Sequence, residues 1–417
     1  MSGILLKDIG QLVTVSEDEK LYKVGSEMQD VGVVKHAAMY FTDKIEWLGT
    51  SEEVEEFIEV QNIHPDKIIS ANNKSVIPSF VDSHTHIVFA GNRAEEFNAR
   101  LRGATYKEIA EKGGGIQTTV SATRNASIEE LFENAKNLAM SPLSYGTTSM
   151  EIKSGYGLDL ETELKQLRAI KMLKETLPMN IVSTFLGAHD FPKEYKDSPQ
   201  KYVDLLCNEM IPRVAEEGLA EYCDAFVDAG YYTVEQGEQI FTAAKEYGMK
   251  IRMHADELAD VDAALLATKV GAVSADHLLF ISEKNIQAMA KAGTVATLLP
   301  GTAYFIRMPY APARRLIDSG VITAIATDCN PGSSFTENMQ LILSLSVINM
   351  KMTAEEALSA ATLNAAYSLG IASRVGSLEI RKDADFIILD CDSYSDMFYH
   401  FGINHVSSVF HKGQKVV

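Results

Sequence analysis

The stretch Phe80-Val81-Asp82-Ser83-His84-Thr85-His86 opens on strand-type apolar residues and closes on two histidines separated by one residue. Along an extended strand, residues i and i+2 face the same way, so both imidazoles can reach a single ion. Seven further short apolar runs follow, at residues 147–153, 181–188, 222–227, 250–254, 272–277, 294–299 and 322–327. Amphipathic helical sequence separates one run from the next. Ser127-Ile128-Glu129-Glu130 and Thr233-Val234-Glu235-Gln236 both fit a capping box at a helix start. Leu164, Leu167, Ile170 and Leu173 recur at the spacing of a helix that buries one side. Eight strands alternating with helices predict an α/β fold, a (β/α)8 barrel of TIM type. A doubly wound sheet would alternate likewise, but no Gly-rich phosphate turn follows the first strand.

The two ends of the chain read differently. Residues 4 to about 75 carry alternating runs such as Gln11-Leu12-Val13-Thr14-Val15 and Ala37-Ala38-Met39-Tyr40-Phe41. The last barrel helix starts at the capping box Thr353-Ala354-Glu355-Glu356. Strand patterns then return in Ala384-Asp385-Phe386-Ile387-Ile388-Leu389-Asp390 and Val406-Ser407-Ser408-Val409-Phe410. A chain of 417 residues exceeds what one core usually holds. A small β-sandwich built from residues 1–75 and 370–417, around a barrel spanning 76–369, is therefore expected. The acidic run at residues 51–59 reads as a solvated helix face.

Hydrophobic residues at 46% and charged residues at 23% are ordinary for a soluble globular protein. No apolar run approaches the roughly 18 residues of a membrane span, and the first residues lack the pattern of a secretory signal. Cys207, Cys223, Cys329 and Cys391 lie far apart with no CxxC pair, which fits a reducing cytoplasm. A net charge of -19 argues against nucleic acid or an anionic membrane as partner. An anionic substrate would need a local cation to draw it in.

Reactive groups of a (β/α)8 barrel gather at the C-terminal ends of its strands. Five of the ten histidines fall in the barrel, every one at such an end: His84, His86, His189, His254 and His277. The others, His36, His64, His400, His405 and His411, read as surface or packing residues. Asp256 and Glu257 follow His254, and Asp328 ends the eighth strand, which closure brings beside the first. Alone, His-x-His is a weak signal; with His254 and Asp328 it forms a plausible mononuclear metal site. A metal with an open position generates hydroxide near neutral pH and polarises a carbonyl. Hydrolysis also needs a base and an acid, for which Asp328, His277 and Glu257 are candidates. The fourth strand ends in Val227-Asp228-Ala229-Gly230, without the lysine a bridged two-metal centre would use. One metal ion is expected, zinc or iron suiting the donor set equally.

His84-Thr85-His86, His254-Ala255-Asp256-Glu257, Ser274-Ala275-Asp276-His277 and Ala326-Thr327-Asp328 resemble the metal-site motifs of the amidohydrolase superfamily. The stretch Lys382 to Asp390 resembles that superfamily's return into its small β domain. Other segments resemble one branch of it, the imidazolone-ring hydrolases of histidine degradation. They are Val88-Phe89-Ala90-Gly91-Asn92-Arg93, Gly113-Gly114-Gly115-Ile116, Lys153-Ser154-Gly155-Tyr156-Gly157, Gly187-Ala188-His189 and Thr327-Asp328-Cys329-Asn330-Pro331-Gly332-Ser333-Ser334. The likeness runs from about Gln11 to the C-terminus. It implies opening of the ring amide of 4-imidazolone-5-propanoate and a homodimer. Implied metal ligands are His84, His86, His254 and Asp328. Implied substrate contacts are Arg93, Tyr156, His189, Glu257, Asn330, Gly332 and Ser333, with Glu257, His277 and Asp328 as catalytic groups.

These roles suit the residue types. Arg93 can pair with a propionate, although an isolated arginine is more often a surface ion pair. Tyr156 sits in a Gly-Tyr-Gly turn that would aim it over the barrel mouth. Asn330 to Ser333 would offer backbone N–H groups and small polar side chains, though as bare sequence it is a turn. Ser79, where related enzymes carry glycine, suffices if its φ is negative, and Ser83 stands at a variable position. Which of Asp328 and Glu257 is base or acid stays open. Two alternatives remain: aminohydrolysis of a purine or pyrimidine ring, and a barrel without metal acting as a structural or regulatory oligomer.

Overall fold

The computed structural model describes residues 3–16, 19–103 and 114–417, so Gly113 of the glycine-rich segment lies outside the described residues. Eight parallel strands pair in unbroken sequence order: Phe80–Asp82, Thr147–Lys153, Asn180–Ala188, Tyr222–Val227, Lys250–Ala255, Ser274–His277, Val295–Leu298 and Thr323–Ile325. Each lies where the hydrophobic pattern puts it, with ends shifted by at most two residues. The first and last strands are shorter than expected because they meet beyond their regular ladders. There Thr85 bridges Cys329, the Asp328 amide donates to His84 O at 3.0 Å and the His86 amide to Cys329 O at 2.9 Å. Asp82 reinforces the seam by accepting from the Thr327 amide at 3.0 Å and the Thr327 hydroxyl at 2.6 Å. The barrel is thereby nearly closed, and the strand ends carrying the histidines face one another.

The helices start where short side chains cap them. Ser127, Thr233 and Thr353 each form the expected capping box, opening Ile128–Ser144, Val234–Glu246 and Ala354–Ala361. Asp159 caps Leu160–Thr176, whose Leu164, Leu167, Ile170 and Leu173 are buried against the barrel.

The terminal segments form a second sheet, also of eight strands, with Ile4–Val13 at its middle. That strand runs antiparallel to Val33–Phe41 on one side and parallel to Lys67–Ser70 and Ser75–Pro78 on the other. Its register slips between Leu6 and Ile9, where Asp8 takes a φ of 55°. The result is one hydrogen-bonded sheet around its own core of Leu6, Ile9, Leu12, Phe41, Phe386 and Phe410. Ser75–Pro78 pairs with Phe386–Leu389, so this sheet reaches three residues into the stretch the sequence assigns to the barrel. Helix Glu53–Gln61 buries only Val54, which explains the acidic run as a solvated face. His405 and His411 are packing residues against Asp390 and Asp385, and His36, His64 and His400 are exposed. Ser79 is buried and absent from the residues of positive φ, as a serine there requires. All four cysteines are free. Among the described residues, no helix is long and apolar enough to cross a membrane.

Candidate active site

His84, His86 and His254 come together at the barrel's C-terminal mouth, buried, with one ligand atom from each within 4.8 Å of the others. His84 Nε2 lies 3.1 Å from His86 Nε2. Asp328 Oδ1 is 3.6 Å from the first and 3.4 Å from the second. Four atoms bound tetrahedrally at about 2.0–2.1 Å would stand roughly 3.3 Å apart. Asp328 is turned inward by a backbone φ of 52°, its Oδ2 accepting from the Thr302 hydroxyl at 2.5 Å. Its Oδ1 has no hydrogen-bond partner among the described residues. Converging acceptors with no donor between them fit a cation.

A cavity of about 740 Å³ opens over this cluster. Its lining includes His86, Arg93, Tyr156, His189, His254, Glu257, His277, Asp328, Asn330, Gly332 and Ser333, so the sequence-predicted residues meet in one place, with His84 beneath them. The His189 ring stacks on His86 at 5.2 Å, and its Nδ1 sits 3.0 Å from Gly155 O. Tyr156 stands 5.4 Å from His189, ring centre to ring centre. Its loop is fixed from below by a buried carboxylate: Glu163 accepts from the amides of Gly155, Gly157 and Leu158 at 2.7–3.0 Å.

Two expectations change in detail. The amides of Gly332 and Ser333 are not free for a ligand, since both donate to Asn330 Oδ1 at 2.8 Å. The Ser333 hydroxyl is likewise tied to the Asn330 side chain, at 2.9 and 3.2 Å, and Gly332 O accepts from Arg100 Nη2 at 3.2 Å. Arg93, read as a cation for the propionate with a surface ion pair as the commoner alternative, is gripped by Glu96 through Nε at 2.9 Å and Nη2 at 2.5 Å while lining the cavity.

Residues 75–416 match the amidohydrolase family. The chain belongs to that family. The amidohydrolase relatives named imidazolonepropionase include one from Geobacillus sp. (strain WCH70), 44% identical over 100% of this chain and 98% of that protein. Another, from Brevibacillus brevis, is 45% identical over 99% of this chain and 98% of its own. Among solved structures, a zinc-bound adenosine deaminase from Xanthomonas campestris superposes with a TM-score of 0.71 at 19% identity, covering 99% of this chain and 92% of its own. The E. coli guanine deaminase gives a TM-score of 0.72 at 15% identity over 100% and 99%. These two share the fold.

In this amidohydrolase the histidines are oriented by carboxylates the sequence did not single out. Asp276 Oδ2 holds His84 Nδ1 at 2.7 Å, and Asp224 holds His254 Nδ1 at 3.0 Å. A proton kept on each Nδ1 leaves the Nε2 lone pair toward the centre. Beneath them Lys153 bridges Glu151 at 2.7 Å and Asp224 at 2.8 Å, while Arg252 lies 3.2 Å from Glu151 and 3.5 Å from Asp276. All five are fully buried, which is tolerable only because each charge is matched by its neighbours. Asp228, at the end of the fourth strand, fixes the loop carrying Glu257 by accepting from the amides of Glu257 and Leu258 at 2.6 and 2.9 Å.

The electrostatics sort the titratable groups. Burial, then the charge of Lys153 and the neighbouring imidazoles, holds His84 well below the usual histidine range. Burial likewise lowers His86 and His189. Burial pushes Glu257 up to about 8, with the Asp328 charge adding to the shift, and draws His277 down to about 4. Burial works against the Asp328 anion, yet His86, His277 and the Thr302 hydroxyl bring it to about 2. Without a bound cation these shifts favour the anion at Asp328, the protonated acid at Glu257 and the neutral ring at His277.

Proposed function

We propose that this chain hydrolyses the ring amide of 4-imidazolone-5-propanoate to N-formimidoyl-L-glutamate, a step of histidine degradation. The observation that carries it is 43–45% identity, over 99–100% of the chain, to relatives named imidazolonepropionase. His84, His86, His254 and Asp328 would hold one divalent metal, zinc or iron. When bound, it polarises a carbonyl and makes water acidic enough to attack near neutral pH.

The protein's groups divide the remaining work. Asp328, ionised at neutral pH, accepts a proton from the attacking water. The water oxygen joins the ring carbonyl carbon, and His277, neutral, donates to the developing oxyanion. Glu257, protonated, gives its proton to the ring nitrogen as the C–N bond breaks. His189 and Tyr156 bracket the ring, while Arg93 and the Asn330–Ser333 turn lie on the side that would take the propionate. A homodimeric enzyme of the cytoplasm is the setting this reading implies.

Purified metal-loaded protein should convert 4-imidazolone-5-propanoate with loss of its ultraviolet absorbance. Turnover of guanine or cytosine, with the imidazolone left intact, would replace this function with ring deamination.

A further inference from the structure

Helix Ala94–Leu101 places Arg93, Glu96 and Arg100 on one face, at the i, i+3, i+7 spacing. All three line the cavity, next to Gly332 and Ser333. Two of Arg93's three guanidinium nitrogens are spent on Glu96, and only 12% of its side chain is exposed. The remaining nitrogen, Nη1, lies so close to Gly332 that an added Cβ there would come within 2.1 Å of it. Arg100 reaches the same glycine, donating from Nη2 to Gly332 O at 3.2 Å. Its guanidinium carbon stands 5.8 Å from the Phe97 ring centre and 5.3 Å from that of Phe305. These two rings, stacked at 4.8 Å, hold the guanidinium in place. Arg100 Nε is buried and has no hydrogen-bond partner among the described residues.

A buried guanidinium donor left without a partner is costly, and one in a cavity wall is a place for a ligand acceptor. The turn beside it has no amide to give, because Asn330 takes those of Gly332 and Ser333. Arg93, Arg100 and Glu96 sum to one positive charge, the complement of one carboxylate.

We propose that Arg100 is a specificity-determining residue, a second guanidinium that binds the carboxylate of the substrate together with Arg93. This rests on the function proposed above for the class of substrate, but its test does not depend on turnover. Arg100→Met keeps an unbranched apolar stem beside the stacked Phe97 and Phe305 rings and removes the guanidinium. Imidazole-4-propanoate, which has the side chain but no ring amide, and its methyl ester are titrated by calorimetry into metal-loaded wild type and variant. Arg100→Met should weaken the acid roughly tenfold or more and leave the ester unchanged. Arg100→Lys should recover only part of the loss, since an ammonium lacks the planar fork. For 4-imidazolone-5-propanoate itself, KM should rise with kcat little changed. Equal affinity of wild type and Arg100→Met for the acid overturns the inference, as does an equal loss for acid and ester. Wild type that binds the acid but leaves the imidazolone intact would overturn the proposed function and leave the anchor standing.

Discussion

Replacing Asp276 by asparagine isolates the charge beneath the candidate metal centre from its shape. Asp276 Oδ2 makes every contact the carboxylate has: His84 Nδ1 at 2.7 Å, Arg252 Nη2 at 3.5 Å and Lys153 Nζ at 4.0 Å. Oδ1 has no partner among the described residues. An asparagine can therefore set its carbonyl oxygen where Oδ2 was and keep the hydrogen bond to His84. What disappears is the negative charge that makes the His84 ring a stronger donor to the metal. Loss of such an outer partner typically costs 10–100-fold in metal affinity, or about 1.4–2.7 kcal/mol. Stability should fall less than the roughly 3–5 kcal/mol of a fully stranded buried charge, because Lys153 keeps Glu151 and Asp224 while Arg252 keeps Glu151. The assay is chelator competition on zinc-loaded wild type and variant, with thermal melting of the metal-free proteins as the control for folding. A variant that melts normally and holds zinc within about threefold of wild type would refute the assignment of Asp276 as the residue that tunes His84.

Three further outcomes are expected. If Glu257 is the proton donor, it must be protonated, so wild-type kcat/KM should decline as pH rises through about 8; Glu257→Gln should lower kcat, by roughly the 10²–10⁴-fold of general acid–base catalysis, and remove that alkaline limb. Arg93→Ala should reduce kcat/KM for the propionate substrate by about 2–4 kcal/mol, read from steady-state kinetics, and unchanged kinetics would move the anion site elsewhere. Ser127→Ala, which deletes the capping bond to the Glu130 amide, should cost about 1 kcal/mol of stability in denaturant melts while kcat/KM stays as it was.

Much of the molecule was legible because the barrel writes its strands as short apolar runs and its chemistry at their ends. His84, His86, His254 and Asp328 needed only the placement of three strand ends to be brought together. The supporting charges were not legible. Glu151, Lys153, Asp224, Arg252 and Asp276 lie inside strands that are buried on both faces, where a charged residue argues against a core position. They become acceptable only when the strands stack and each finds its counter-ion on a neighbour. The Asn330 turn misled for another reason: sequence shows which donors a turn possesses, whereas the fold decides that its own asparagine consumes them. The pairing of Arg93 with Glu96 did have a signal, the i, i+3 spacing after a helix start.

The chain carries a net charge of -19, which on its own would repel an acidic substrate. The cavity reverses that locally, in two layers. Its floor locks up negative charge: Asp224, Asp276 and Glu151 are bound by Lys153 and Arg252 and lie out of a ligand's reach. Along one wall Glu257 takes up a proton because burial beside Asp328 penalises a second anion. Asp224 and Asp276 are spent on the outer nitrogens of His254 and His84, whereas Asp328 lines the cavity itself, with an Oδ1 that has no hydrogen-bond partner among the described residues. A substrate carboxylate is thereby turned away from Asp328 and toward the corner of Arg93 and Arg100. In the proposed substrate the amide carbonyl carbon is bonded to the ring carbon that bears the propionate, so an acid held at that corner tethers the amide through two methylenes within the cavity that His86 and His254 line. Specificity and reactivity then have a common origin: the charge that anchors the acid also decides which bond meets the water.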